Sequence, residues 1–260
     1  MTTRRSAARS VAALALALPV LAGCGAEGAA PAPAPAATVG APADATGAFD
    51  PAVAIAHRSK EPYAATLALT SETLTSETGD GDAREVFTVT GRVNHNTPAR
   101  GSHTEERTVR GGAEVVAWTE TLTVDGVVYQ RDRAGGTGWR RDPESAAGFR
   151  IDPDVVAAYA ELLLDSGPAA RKGMETESGV PVFHLGARLS PDLMRRADPS
   201  VDAGAPGGGA PADCDLWIDR LGRPVRVEQA MVVDGTRTVT DDRFSDFGPP
   251  ETFAPPLASG

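Results

Sequence analysis

Apolar residues recur at every second position through long stretches of this chain, and that period commits it to β-structure. Tyr63, Ala65, Leu67 and Leu69 alternate with Ala64, Thr66, Ala68 and Thr70, while Phe87, Val89 and Val93 alternate with Thr88, Thr90 and Arg92. Side chains of a strand point to opposite faces in turn, so each segment predicts a strand with one buried face. Further strands are expected at His103 to Arg110, Glu114 to Val124 and Val127 to Arg131, the last two joined through Asp125-Gly126, a two-residue hairpin signal. Gly135-Gly136-Thr137-Gly138 runs into Trp139 without a helix and reads as a hairpin tip.

Three helical signals interrupt the strands. Asp50 and Pro51 open a short helix to about Ser59. Asp152 and Pro153 open a second, with Val155, Tyr159, Leu162 and Leu163 as its apolar stripe and Gly167-Pro168 as its stop. Ser190-Pro191 opens a third. Strands are expected around them at Gly173 to Glu177, Val180 to Arg188, Asp213 to Asp219, Arg223 to Val233 and Thr236 to Phe247, with turns at Leu221-Gly222 and Asp234-Gly235. Asp198 to Ala212 is a Gly/Pro/Ala insert without periodicity, which suits a surface loop.

The amino-terminal two dozen residues carry a different message. Arg4, Arg5 and Arg9 precede an uncharged apolar run, Val11 to Ala22, that is too short to span a bilayer as a helix. Leu21-Ala22-Gly23-Cys24 then resembles the bacterial lipobox, which implies cleavage before Cys24 and a diacylglyceryl thioether, with palmitate-type acyl chains, on its sulfur. Two acyl chains give a stable anchor where one gives only reversible binding. Arg4-Arg5 is followed by Ser6-Ala7-Ala8, not by the bulky apolar residues of a twin-arginine signal, so the general secretory route is expected. From Cys24 to about residue 46 the chain is nearly all Ala, Pro and Gly, a composition that favours extended polyproline II and reaches roughly 60 Å from a bilayer. The expected organisation is a signal peptide over 1–23, the lipidated cysteine and tether over 24–46, and one domain over 47–256 with a disordered loop at 198–212. The expected place is the outer face of the cell membrane.

Charge and chemistry exclude several functions. The first 23 residues hold three of the 25 basic residues and none of the 35 acidic ones, so the net charge moves from −10 to −13 once they are removed. Such a surface repels nucleic acid. No nucleophile elbow, His-Glu-x-x-His or phosphate-cradling glycine loop occurs, so no enzyme activity and no cofactor are expected. His95 and His103 stand where a hairpin could bring them together on a metal, but no third ligand lies near and solvated strand-end histidines are the simpler reading. Asp213, Asp215 and Asp219 lack the turning glycine of a calcium loop and read as solvated charges along a sheet edge. With Cys24 lipidated, Cys214 has no intrachain partner and is expected as a buried strand residue in a monomer.

The carboxy-terminal stretch is the most informative. Leu216-Trp217-Ile218-Asp219-Arg220-Leu221-Gly222-Arg223-Pro224-Val225-Arg226-Val227, the hairpin over Asp234-Gly235, and Phe244-Ser245-Asp246-Phe247-Gly248-Pro249-Pro250 resemble the ending of actinobacterial LppX/LprG-type lipoproteins, which are LolA-like. Val127-Val128-Tyr129 followed by Trp139-Arg140 is similar to that family as well. The resemblance implies a mainly β, α+β fold: a single curved antiparallel sheet, a half-open β-barrel whose apolar concave face is covered by helices. It transfers no catalytic residues. Expected to line that face are Leu67, Leu69, Phe87, Val89, Trp118, Leu122, Leu216, Ile218, Val225, Val227, Met231 and Val233, with Tyr159, Leu162 and Leu163 on the covering helix. Each also suits a filled core. Two functions therefore follow as expectations: a non-enzymatic carrier of a lipid or other hydrophobic ligand, and a surface interaction or sensory lipoprotein whose partner is another envelope protein.

Overall fold

The structure is a computed structural model that describes residues 48–57, 61–75, 83–96, 101–141, 153–198 and 210–256. Its strands are β1 (Tyr63–Thr75), β2 (Ala83–His95), β3 (Ser102–Arg110), β4 (Glu114–Val124), β5 (Val127–Asp132), β6 (Arg140–Arg141), β7 (Arg171–Glu177), β8 (Val180–Leu189), β9 (Ala212–Ile218), β10 (Pro224–Val233) and β11 (Thr236–Gly248). All belong to one antiparallel sheet in the order β6-β5-β4-β3-β2-β1-β11-β10-β9-β8-β7. Two meanders, β1–β6 and β7–β11, are thus joined by their first and last strands. β6 and β7 do not pair with each other, so the sheet stays an open half-barrel.

Local chemistry sets the hairpins. Asp125-Gly126, Ser178-Gly179 and Asp234-Gly235 each place two successive residues at positive φ, between 48° and 82°. That is the type I′ geometry whose twist matches the flanking strands. The β9–β10 turn is built differently. Asp219, only 3% exposed, accepts from the backbone N–H groups of Leu221 and Arg223 at 2.9 Å each through Oδ1, and from Arg223 Nε at 2.7 Å through Oδ2. Gly222 supplies the left-handed residue, with φ 72°. Arg223 then lies over the Phe247 ring at 4.1 Å, tying this turn to the end of β11.

The seam between β1 and β11 brings together residues more than 160 positions apart. Its register runs from Ala64 opposite Gly248 to Thr75 opposite Thr236, and hydroxyl pairs cross it between Ser71 and Thr240 (3.0 Å) and between Thr73 and Thr238 (3.3 Å). Past β11 the chain returns over β2, where Glu251 exchanges backbone hydrogen bonds with the Asn94 side chain and pairs with Arg92 at 2.6 Å.

Among the described residues three α-helices accompany the sheet: α1 (Pro51–Ala56), α2 (Pro153–Asp165) and α3 (Pro191–Ala197), with a 3-10 turn at Pro168–Ala170. Asp50 caps α1 by accepting from Ala52 N at 2.8 Å, and Ser190 caps α3 through Leu193 N. Expected and observed elements agree closely, with α1 ending at Ala56 and β6 as an addition. Asp198 caps α3 and Ala212 is fully buried in β9, so both ends of the Gly/Pro/Ala insert are fixed, while 199–209 lie outside the described residues. Residues 1–47, with the expected signal peptide, lipobox and tether and with Cys24, also lie outside them.

Candidate functional site: the helix-covered face

Register and alternation assign every strand residue to one of two faces. The inner face is the one the helices cover. Over β8–β10, Leu185, Leu189, Ala212, Cys214, Leu216 and Ile218 pack with Ile55 of α1, Tyr159, Ala160 and Leu163 of α2, and Met194 and Ala197 of α3. Leu162, Val227 and Met231 adjoin this cluster, half-buried. Burial of the Cys214 thiol there pushes its pKa up to about 12, so it is an inert apolar group.

A second apolar cluster continues the same face over β11, β1 and β2: Tyr63, Ala65, Leu67, Leu69, Val89 and Phe244, with Phe87, Val93, Val227 and Phe247 against it. All are strand or strand-adjacent residues. No described helix contributes to it, so the helical cover seen over β8–β10 does not account for its burial.

Beyond β2 the inner face turns polar. The register carries Leu69 and Val89 on to Glu106 and Thr119, and the rows beside them hold Thr104, Thr108, Thr121 and Gln130. Glu106 is 7% exposed and burial pushes its pKa up to about 7, partly offset by the hydrogen bond that the Thr104 hydroxyl donates at 3.4 Å and by the neighbouring Thr121 hydroxyl. On the other side of Leu69, Asp242 stands in the same row, between Leu69 and Val227. Its Oδ1 is buried without a hydrogen-bond partner among the described residues, and burial, with the neighbouring Asp241 charge, pushes its pKa up to about 7. Two carboxyls poised near neutrality thus flank the second apolar cluster.

The expected lining residues divide between the faces. Leu67, Leu69, Phe87, Val89, Leu216, Ile218, Val227, Met231 and Val233 share the inner face, and Tyr159, Leu162 and Leu163 of α2 pack on it. Trp118, Leu122 and Val225 stand on the outer face. Trp118 lies opposite Arg107 and Leu122 opposite His103, both outer positions, while a register shift between Pro224 and Arg226 turns Val225 outward to pack with Val182 and Trp217. His95 and His103 do not meet: His95 stacks on Tyr63 at 4.7 Å on the inner face, and His103 Nε2 lies 2.8 Å from Glu120 on the outer one. The aspartates of β9 also differ from expectation, because β9 is an interior strand. Asp213 pairs with Arg188 at 2.8 Å, Asp215 with His184 at 2.7 Å, and Asp219 is the buried hub of its turn. Asp242 and Glu106 were not singled out in the sequence; the signal was available in the two-residue period, which puts Asp242 on the Phe244 side of its strand and Glu106 between Thr104 and Thr108.

No family model matches the sequence, and no curated protein does. Among solved structures, LprF from Mycobacterium bovis is 16% identical, with 80% of this chain and 97% of that one covered and a TM-score of 0.49. Lipoprotein LppX from Mycobacterium tuberculosis is 11% identical, covering 73% and 88%, with a TM-score of 0.37. A LolA-superfamily protein from Nitrosomonas europaea is 9% identical, covering 76% and 90%, at 0.25. The open sheet edges, the helices over the β8–β10 part of the inner face and the β9–β10 turn agree with the fold expected from the sequence.

Proposed function

We propose that this chain is an extracytoplasmic lipoprotein, held at the cell membrane by a diacylglyceryl group on Cys24, which binds or carries a lipid or other hydrophobic ligand on its inner face and catalyses no reaction. The supporting observation is the second apolar cluster, a strand-built surface of Leu67, Leu69, Val89 and Phe244 with no described helix on it. Apolar chains bind such a surface by leaving water, at roughly 25 cal/mol per Å² buried. The protonatable carboxyls of Asp242 and Glu106 at its margins suit the polar end of an amphiphile. Leucine and threonine side chains make up this face in place of catalytic pairs, which favours binding over chemistry.

A specific observation favours the second reading, an interaction lipoprotein with a filled core. Leu69 and Val89 are 1% and 2% exposed as the chain stands. Replacement of Val89 by Trp separates the two. In a carrier, the indole occupies ligand space: lipid recovered by solvent extraction falls sharply and the unfolding midpoint holds. In a filled core, the same indole overpacks and costs about 1–3 kcal/mol, with no lipid to lose.

A further inference from the structure

The outer face of β4–β6 is cationic, at odds with the rest of an acidic chain. Glu120 is buried there at 4% exposure and is already taken up: His103 Nε2 lies at 2.8 Å, Arg131 Nε at 2.6 Å and Arg133 at 3.4 Å. Burial opposes ionisation of this carboxyl, but the hydrogen bonds from His103 and Arg131 hold it below the usual range. One anion therefore faces more positive charge than it cancels; the other acid of this face, Glu105 opposite Glu120, shares β3 with Arg107 two positions on. On the edge strand, Arg141 stands opposite Tyr129 on this face and Arg140 opposite Gln130 on the other; both are exposed at the rim and form no ion pair among the described residues. The arginines are laid on indoles. Arg131 sits 4.8 Å from the Trp139 ring centre and Arg133 5.2 Å from that of Trp118, so two of the chain's three tryptophans are here. Trp118 Nε1 is buried beneath Arg133 without a hydrogen-bond partner, a donor that no described residue satisfies.

We infer that this edge docks on the anionic surface of the membrane, with its guanidinium groups against lipid phosphates and its indoles at headgroup depth. The inference rests on the anchor reading, which keeps the body within reach of a bilayer. Net charge alone would hold the protein off. Screening changes the balance, because at physiological ionic strength the Debye length is about 8 Å and the acids on distant strands are not felt at this rim. Tryptophan beside arginine is the chemistry of the membrane interface, where an amphipathic ring meets water on one side and acyl chains on the other. An acidic protein partner would be served by the arginines and would leave the paired indoles without a role.

The test uses the full chain with Cys24→Ser, so that no acyl group contributes, sedimented with vesicles of phosphatidylcholine alone or with phosphatidylglycerol added. The first 23 residues, with Arg4, Arg5 and Arg9, are common to the parent and the arginine variant and cancel in the comparison between those two proteins. Phosphatidylglycerol should raise binding, and salt should reverse the gain. Arg140→Ala with Arg141→Ala should lower that gain about 25-fold at low salt, at about fivefold for each arginine removed, and leave both the unfolding midpoint and binding to phosphatidylcholine unchanged. Binding indifferent to phosphatidylglycerol, or equal gains for the double variant and its parent, would overturn the inference. Fatty-acid labelling of the chain with Cys24 intact reports on the anchor separately: unlabelled protein sinks the anchor reading and leaves the vesicle result standing.

Discussion

Asp242 on β11 stands directly opposite Leu69 on β1, with its Oδ1 buried and without a hydrogen-bond partner among the described residues. A carboxylate there faces hydrocarbon, so the folded chain keeps the proton that the unfolded chain releases near pH 4.

The sign of the pH dependence follows. The folded pKa, about 7, lies above the unfolded one, so the proton's contribution is complete below about pH 4 and is lost as pH rises to 7. Glu106 acts in the same direction over the same window. Stability measured by urea unfolding should therefore fall between pH 4 and pH 7. Asp242→Asn, which mimics the protonated acid, should remove about half of that slope, and Asp242→Asn with Glu106→Gln nearly all of it. Parallel profiles for wild type and double variant would show that these carboxyls are hydrated.

Asp219→Ala should be among the most damaging single changes in the domain. It leaves two backbone N–H groups and the Arg223 guanidinium without their acceptor inside a turn where Asp219 is 3% exposed. Breaking one side of a buried pair costs on the order of 3–5 kcal/mol. Equilibrium unfolding checks it, and a loss below about 1 kcal/mol would mean that the turn holds without its hub.

Gly91 tests the packing of the first meander. A methyl group on its Cα would stand 2.1 Å from His103 O and 2.7 Å from Thr104 Cα, backbone atoms of the neighbouring strand. Gly91→Ala should thus force β2 and β3 apart and cost about 1–3 kcal/mol, with amide exchange rising first along β3. Exchange rates equal to wild type would contradict it.

Much of this fold was legible in the sequence because its rules are local. Alternation from Tyr63 to Leu69 and the Asp-Gly turns specify strands and hairpins wherever they occur. What alternation does not specify is which face lies inside. On β4 the apolar parity is Trp118 and Leu122, yet the inner parity is Ala117, Thr119, Thr121 and Thr123, because register to β3 and ultimately to Leu69 decides it. Val225 departs from simple alternation because of one irregularity between Pro224 and Arg226, which turns it to the outer face. The β1–β11 seam joins the two ends of the domain, so no local pattern announces it, and the interior position of β9 follows only from that seam. The polar half of the inner face was hidden for the same reason: Glu106 and Asp242 lie on different meanders and share a row only through β1 and β2.

The anchor rests on one atom. Cys24→Ala removes the only thiol at the processing site, so labelled fatty acid should be incorporated into the wild type and into Cys214→Ala, but not into Cys24→Ala. The mature chain should begin at Cys24 with a mass increased by diacylglycerol. Equal labelling of all three proteins, or a mature amino terminus elsewhere, would contradict the lipoprotein assignment.

The ligand is the centre of the account, and native mass spectrometry of the chain, followed by solvent extraction of the same sample, tests it most directly. A bound lipid or other hydrophobic molecule should appear at near one per chain, survive gentle ionisation, and be released by organic solvent. It should be absent from Val89→Trp at unchanged folding. Protein at its bare mass from several expression hosts, with extracts free of lipid, would contradict the carrier reading and leave the filled-core interaction protein in its place.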